Sequence, residues 1–412
     1  MKLKLMRLKG NGLNVVAYLG AAALVLYYLV PFAVPALGFS PHVLLIIAGF
    51  IFLLMYAQGH IEFWYGFLPL SFVIVAVISV FGAPNMPKTQ LLHTWLVSLM
   101  AFGLFRNTFK LLPQERVNTW SFVVLAIWAF VAIAQVLFGN DFYVSNWFGA
   151  PIVAAYASGL TIYSNNAAIM LLPLLVWALV SSINQPVWWR GFVWTLGCVA
   201  LYFTLSRAGW LALLIAMLVL VARYRHEPII LRNLALHAVV AMLAVLLVWG
   251  APTRIDPFEP GGLRSAGRWR ALDYSGATRL VTLQVAAKAA AEYPLTGIGM
   301  GRFPDYYAKH YAEYLNGAAV DPRILMTPHN GYAQFVAEVG IPAFLSLLIW
   351  MVWLTQRTAK RKEPAAHALF ASIVGMASWL FLHDGLYDRQ LWMLLGCATA
   401  LSDKNLLLRG KL

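Results

Sequence analysis

The sequence has little charge, few acidic residues and almost no cysteine. Only 11% of its 412 residues are charged, whereas 61% are hydrophobic. A soluble protein of this length cannot hide so much apolar surface, so the composition excludes an ordinary soluble enzyme. Cys198 and Cys397 both lie in apolar runs. A free cysteine there behaves as a small hydrophobe, and we expect neither a disulfide nor a cysteine metal site.

Sequence signals for metal and nucleotide sites are also missing. No predicted outer loop carries an Asp-x-Asp pair, and the nine histidines lack ligand spacing, so we expect no metal and no cofactor. The stretch GIGMGRF resembles a phosphate-binding glycine loop. It lacks a preceding strand and a Gly-Lys-Ser or Gly-Lys-Thr ending, however, and its glycines instead indicate a tight turn.

Apolar stretches long enough to cross a bilayer recur along the whole chain. A backbone in lipid must satisfy its own hydrogen bonds, so we expect each stretch to be helical. The sequence therefore predicts an all-α polytopic membrane protein with about twelve transmembrane helices. These lie near residues 13–31, 41–57, 61–82, 90–105, 119–138, 166–183, 189–206, 208–222, 233–250, 330–354, 365–382 and 387–402.

The distribution of Lys and Arg predicts the orientation. Most of the 30 basic residues fall in loops on one side, whereas Lys88 is alone between the third and fourth spans. The positive-inside rule assigns the basic loops and both termini to the cytoplasm. The predicted organisation is nine transmembrane helices in residues 1–250, an outer loop domain in 251–328 and three more helices in 329–412.

The long outer loop contains two predicted amphipathic helices. The stretch TRLVTLQVAAKAAAEYP predicts a helix with Arg279 at its start and an end before Pro294. A tyrosine pattern predicts a second helix near 303–315, lying along the membrane surface. That pattern comprises Tyr306, Tyr307, Tyr311 and Tyr314.

Arginines are the first candidate functional groups. Arg207, in LSRAGW, would cost about 2.5–3.5 kcal/mol or more at mid-bilayer, so we expect it at the outer edge or in a wet cavity. The alternative is a snorkelling side chain. Arg279 follows Arg268 and Arg270, and guanidinium groups bind phosphate oxygens bidentately. These residues suit a pyrophosphate clamp, although a solvated loop or contact with anionic lipid is the alternative.

His329 lies where the loop re-enters the membrane, in TPHNGYAQFVAEVGIPAF. Pro328 favours a helix start nearby, so His329 should lie at the lip of the bundle. Histidine suits general-base work near neutral pH, and a capping or interfacial histidine is the alternative. Glu338 lies within the same predicted span and requires a partner that the sequence does not identify.

At these residues the chain resembles the O-antigen ligase and polymerase family of bacterial inner-membrane proteins. The matching segments are GLTIYSNNAAIMLLPL from residue 158, LSRAGWL, TRL, YPLTGIGMGRF and PHNGYAQFVAEVGIPAF. The resemblance implies a GT-C-like fold and a metal-independent, inverting glycosyltransferase. The implied donor is a glycan on undecaprenyl pyrophosphate, and the implied acceptor is lipid A–core oligosaccharide at the periplasmic face of the inner membrane.

The resemblance also implies residue roles. Arg207 and Arg279 would hold the pyrophosphate, and His329 would deprotonate the acceptor hydroxyl. The family often has an acidic residue near the last periplasmic turn, and Asp384 and Asp388 both fit. The full set of expected substrate-binding residues is Arg268, Arg270, Asn330, Tyr332, Asp384, Asp388 and Arg389.

Several alternatives share or replace this activity. An O-antigen polymerase or a protein O-oligosaccharyltransferase would use the same donor with another acceptor. The polymerase pattern usually has two large periplasmic loops, whereas this chain has one large loop and a modest one near 139–165, which favours the ligase. A transporter or flippase of lipid-linked glycans belongs to a different class. Transporters place polar groups at the midplane within repeated, broken helices, whereas here they gather at one face without an evident repeat.

Overall fold

All regular elements of the part of the chain that the computed structural model describes are helical. The described residues are 19, 51, 89–111, 113–138, 164–180, 187–249, 268–315, 327–385 and 388–409. Their helices are α1 (Thr89–Leu111), α2 (Gln114–Phe138), α3 (Ser164–Val180), α4 (Val187–Phe203), α5 (Arg207–Arg223), α6 (Pro228–Trp249), α7 (Arg268–Glu292), α8 (Phe303–His310), α9 (Gly331–Val339), α10 (Ile341–Ala359), α11 (Pro364–Leu380) and α12 (Arg389–Arg409), with a 3₁₀ turn at Tyr311–Tyr314.

Two of these helices are long and apolar enough to cross a membrane. They are α2 and the Pro228–Leu247 part of α6, and shorter apolar helices lie at Asn165–Val180, Pro364–Leu380 and Gln390–Ser402. The predicted all-α class is confirmed for the described residues. The count of twelve spans stays a prediction, and the spans near 13–31, 41–57 and 61–82 lie outside the described residues apart from Leu19 and Ile51.

Helices α5 and α11 form a close antiparallel pair that sets where the candidate residues lie. A Cβ on Gly375 of α11 would lie 2.8 Å from the carbonyl oxygen of Ala212 in α5, so the two backbones nearly touch. At one end of the pair, an Arg223 guanidinium nitrogen is 3.0 Å from His367 Nε2. The opposite end therefore brings the start of α5 near the end of α11.

The predicted span near 330–354 is wrong as a single helix. Two helices are separated at Gly340, which has a φ of 84°. Helix α9 ends just before this residue, and α10 begins just after it at Ile341. A Cβ on Gly340 would lie 2.5 Å from the carbonyl oxygen of Leu295, and the Ile341 amide donates to the Pro294 carbonyl at 2.8 Å. The glycine-rich turn after α7 is thus seated against this break.

Helix α7 begins earlier than the sequence predicts. It starts at Arg268 rather than Arg279 and ends at Glu292, just before Pro294 as predicted. Arg279 consequently lies well inside the helix, because the helical turns continue N-terminally beyond the TRL segment. The free amides of a helix N-terminus are therefore not available beside Arg279.

One tyrosine of the loop helices, Tyr307, packs into a buried core, and Tyr306, Tyr311 and Tyr314 are partly buried against it; the predicted position along the membrane surface stays a prediction. Tyr307 of α8 is buried with Val281 and Val285 of α7 and with Ala337 of α9. Burying these side chains against α7 removes more apolar area from water than an isolated surface helix would. Helix α9 therefore contributes to the core of the loop segment as well as to the bundle.

Gly340→Ala is expected to destabilise the protein. The substitution adds backbone strain of about 1–3 kcal/mol at a positive φ, together with a clash against Leu295. Thermal unfolding in detergent measures the effect. Ser346→Ala in α10 is the control, since it removes a hydroxyl that bonds its own helix at Ala343. Equal midpoints for Gly340→Ala and the wild type would contradict the proposed close approach.

Candidate active site

Arg207 begins α5 immediately after a strained turn. Leu205 has a φ of 51°, and the Ser206 hydroxyl caps the helix by accepting from the Gly209 amide at 3.2 Å. The Arg207 side chain is exposed. Its guanidinium and the free amides of the first turn of α5 therefore lie at the same end of the bundle, an arrangement that favours anions.

Arg279 approaches this end from α7. Burial lowers the pKa of its guanidinium, the positive charge of Arg207 lowers it further, and the negative charge of Asp384 raises it. An arginine side chain remains charged in proteins. Arg279 thus lies within electrostatic reach of a second cation and of a carboxylate, each from a distant part of the sequence. Arg268 and Arg270 lie in the first turn of α7, and their side chains are outside the described residues.

His329 lies beside Asp384 in an unusual backbone conformation. Its φ is 50°, a left-handed value that a non-glycine residue rarely adopts. The Nδ1 atom is 3.7 Å from Asp384 Oδ2, which is an ion-pair distance but too long for a hydrogen bond. The Thr327 hydroxyl donates to the same carboxylate oxygen. Asp384 Oδ1 is buried and has no hydrogen-bond partner among the described residues.

The ring of His383 packs next to His329 and Asp384. Its ring stacks on Trp379, with centroids 4.6 Å apart, and meets His329 edge-to-face at 5.9 Å. Burial lowers the pKa of His383, Asp384 opposes this, and the charges of His329 and Arg279 lower it further.

Asn330 and Tyr332 are engaged with protein partners. Asn330 caps α9 by accepting from the Ala333 amide at 3.0 Å and donates to the Phe381 carbonyl at 3.2 Å. The Tyr332 hydroxyl donates to the Ala377 carbonyl at 2.9 Å. These contacts hold α9 against the end of α11, and so both side chains support the placement of His329.

The two acidic candidates occupy different positions. Asp384 contacts His329, whereas the Asp388 amide donates to the Gly385 carbonyl at 2.9 Å in the turn that leads into α12. Arg389 begins α12, and its side chain lies outside the described residues. In the described part of the chain, no three His, Cys, Asp or Glu side chains come together as a metal site.

Glu338 has a partner that the sequence did not identify. Its side chain is fully buried, and Oε1 accepts a hydrogen bond from the Phe303 amide at 3.2 Å. That amide is one of the free donors at the start of α8. The Glu338 carboxylate therefore links α9 to the start of α8 in the loop segment.

The arrangement can hold an anion and accept a proton in one place. Arg207 and Arg279 supply two positive charges. His329 supplies a titratable nitrogen, and Asp384 lies on the side of Nδ1. This combination suits a displacement in which an anionic group leaves while a hydroxyl group loses its proton.

One segment of the chain matches a known protein family. Residues 191–348 match the family model described as O-antigen ligase. The match includes Arg207, Arg279 and His329, whereas Asp384 lies beyond it. No curated protein matches the chain. The match over residues 191–348 therefore supports assignment of the chain to the O-antigen ligase family, a membrane protein family with glycosyl-transfer activity of the ligase or polymerase type.

Proposed function

We propose that the protein transfers O-antigen polysaccharide from undecaprenyl pyrophosphate to lipid A–core oligosaccharide at the periplasmic face of the inner membrane. The observation that carries this proposal is the convergence of two arginines with a His–Asp pair. The charges of Arg207 and Asp384 both affect the pKa of Arg279, and Asp384 lies at ion-pair distance from His329. Three of these four residues lie within the segment that matches the O-antigen ligase family.

In this mechanism the arginines hold the leaving group. Negative charge builds on the pyrophosphate oxygens as the bond to the anomeric carbon breaks. Fixed guanidinium groups stabilise that charge without reorganising, a role that a metal ion has in other transferases. Burial lowers the pKa of Arg279 most, and the charge of Arg207 lowers it further; a bound pyrophosphate would offset both effects by pairing with the two guanidinium groups.

His329 acts as the general base. Asp384 faces Nδ1, which leaves Nε2 to take the proton from an acceptor hydroxyl. The acceptor oxygen bonds to the anomeric carbon on the face opposite the pyrophosphate, so the configuration inverts. The imidazolium that forms is then stabilised by the nearby carboxylate. The proton moves to His329, and the bonding electrons leave with pyrophosphate.

Removing any of the three principal side chains is expected to stop transfer. Arg207→Ala and Arg279→Ala each remove stabilisation of the leaving group, and His329→Ala removes the base, for losses of about 100-fold or more in rate. Proteoliposomes containing purified donor and lipid A–core measure product directly. Arg302→Ala is the matched control, since Arg302 pairs with Asp305 on the loop segment at 3.2 Å.

The same assay separates the ligase from its alternatives. Ligase activity consumes the donor without divalent metal and labels lipid A–core. Elongation of a second lipid-linked glycan identifies a polymerase, labelling of protein identifies an oligosaccharyltransferase, and movement of the donor across the bilayer without bond cleavage identifies a transporter. Normal transfer by His329→Ala would contradict the assignment of the base.

Asp384→Asn is expected to reduce transfer far more than Asp388→Asn. The amide keeps the shape of Asp384 but removes the charge facing His329, which should lower the rate by about 100-fold. The two variants are matched, because both carboxylates flank the same turn before α12. Equal losses in the two variants, measured in the same proteoliposomes, would show that proximity to His329 does not decide which acid matters.

A further inference from the structure

The segment that carries His329 needs external support. An L-residue keeps a left-handed backbone only where the surrounding structure over-determines it. His329 has a φ of 50°, and it follows Pro328, whose ring fixes its own φ and removes one backbone donor. The contacts that hold this segment therefore determine where the imidazole points.

Thr282 supplies one of these contacts from α7. Its side chain is fully buried, and its hydroxyl lies 3.0 Å from the Arg279 carbonyl and 3.3 Å from the Pro328 carbonyl. A hydroxyl has one proton to donate, so the two oxygens share it. The first contact is within the helix, whereas the second joins the helix that bears Arg279 to the residue preceding His329.

Two other buried threonines, Thr358 and Thr399, donate to carbonyls of their own helices. The Thr358 hydroxyl donates to the Leu354 carbonyl at 2.8 Å, and the Thr399 hydroxyl donates to the Leu395 carbonyl at 2.8 Å. Such bonds are the ordinary use of a threonine in a helix. The additional reach of Thr282 to a segment 46 residues away sets it apart.

The segment is fastened on its opposite side as well. The Thr327 hydroxyl donates to Asp384, in the turn after α11, and the Gly331 amide donates to the His383 carbonyl at 3.0 Å. His329 therefore lies between an attachment to α7 and an attachment to the α11–α12 turn. Loosening the α7 side would let the histidine move relative to Arg279 while its contacts to the turn persist.

We propose that Thr282 is a positioning residue that sets the distance between His329 and Arg279. This inference rests on the proposed function, in which the two side chains act on the two ends of one reaction. Arg279 holds the leaving group and His329 receives the proton, so a small change in their separation misaligns attack. Because its side chain is fully buried, Thr282 would act through its contact with Pro328 rather than on the donor or the acceptor.

The test compares Thr282→Val with Thr282→Ser in the full chain, reconstituted in proteoliposomes. Valine keeps the branched shape and removes the hydroxyl, whereas serine keeps the hydroxyl. We expect Thr282→Val to lower kcat by about 100-fold with the KM for the donor nearly unchanged, and Thr282→Ser to stay close to the wild type. Thr358→Val, a buried threonine bonded within its own helix, is the control and should retain full activity.

Hydrogen–deuterium exchange provides a readout that does not depend on transfer. The amides of Gly331 and Ala333 bond to His383 and Asn330, so a peptide covering 327–339 reports on the tether. We expect faster exchange in Thr282→Val and wild-type exchange in Thr282→Ser. Unchanged exchange in Thr282→Val, an unchanged kcat, or equal losses in the valine and serine variants would overturn the proposal.

The two arms also separate this inference from the proposed function. If the wild-type protein transfers nothing to lipid A–core, the proposed function fails, and the exchange experiment alone decides whether Thr282 tethers the segment. If the wild type transfers glycan and Thr282→Val exchanges faster at full activity, the tether exists but positions nothing. That result would reject the inference and leave the proposed function intact.

Discussion

The site depends on holding two like charges close together. Burial lowers the pKa of the Arg279 guanidinium, the positive charge of Arg207 lowers it further, and the negative charge of Asp384 opposes these effects. The cost is met by rigid packing elsewhere. Helix α5 is held against α11 by backbone approach at Gly375, and α7 shares a buried core with α8 and α9. An anion is favoured between the arginines because the protein has already supplied the energy to assemble them.

The joint between the loop segment and the helical bundle follows from the break at Gly340. The break lets α9 pack on α7, where Glu338 accepts from the Phe303 amide and Ala337 enters the loop core. The glycine turn fits this corner so closely that a Cβ on Gly297 would lie 2.3 Å from the Glu338 carbonyl carbon.

Backbone strain and hydrogen bonding meet at His329. Its left-handed conformation places the imidazole beside Asp384 and the ring of His383, and hydrogen bonds on both sides hold this segment. Leu205, two residues before Arg207, is the other non-glycine residue at positive φ in the described chain. Strained backbone therefore lies beside two of the three principal side chains, as is common where local geometry serves function.

The sequence by itself determined the helical class, the end of α7 before Pro294 and the glycine turn. It also identified Arg207, Arg279 and His329 as candidate functional residues. These results were accessible because composition, turn residues and charge in apolar surroundings are local signals. The sequence also carried a signal for the break, since a glycine followed by Pro342 is typical of one helix ending and another beginning; the long apolar pattern obscured it. Only the tertiary structure decided that Asp384 rather than Asp388 contacts His329 and that Thr282 reaches Pro328. Those contacts are distances between groups far apart in the chain, which helix packing sets and no local pattern encodes.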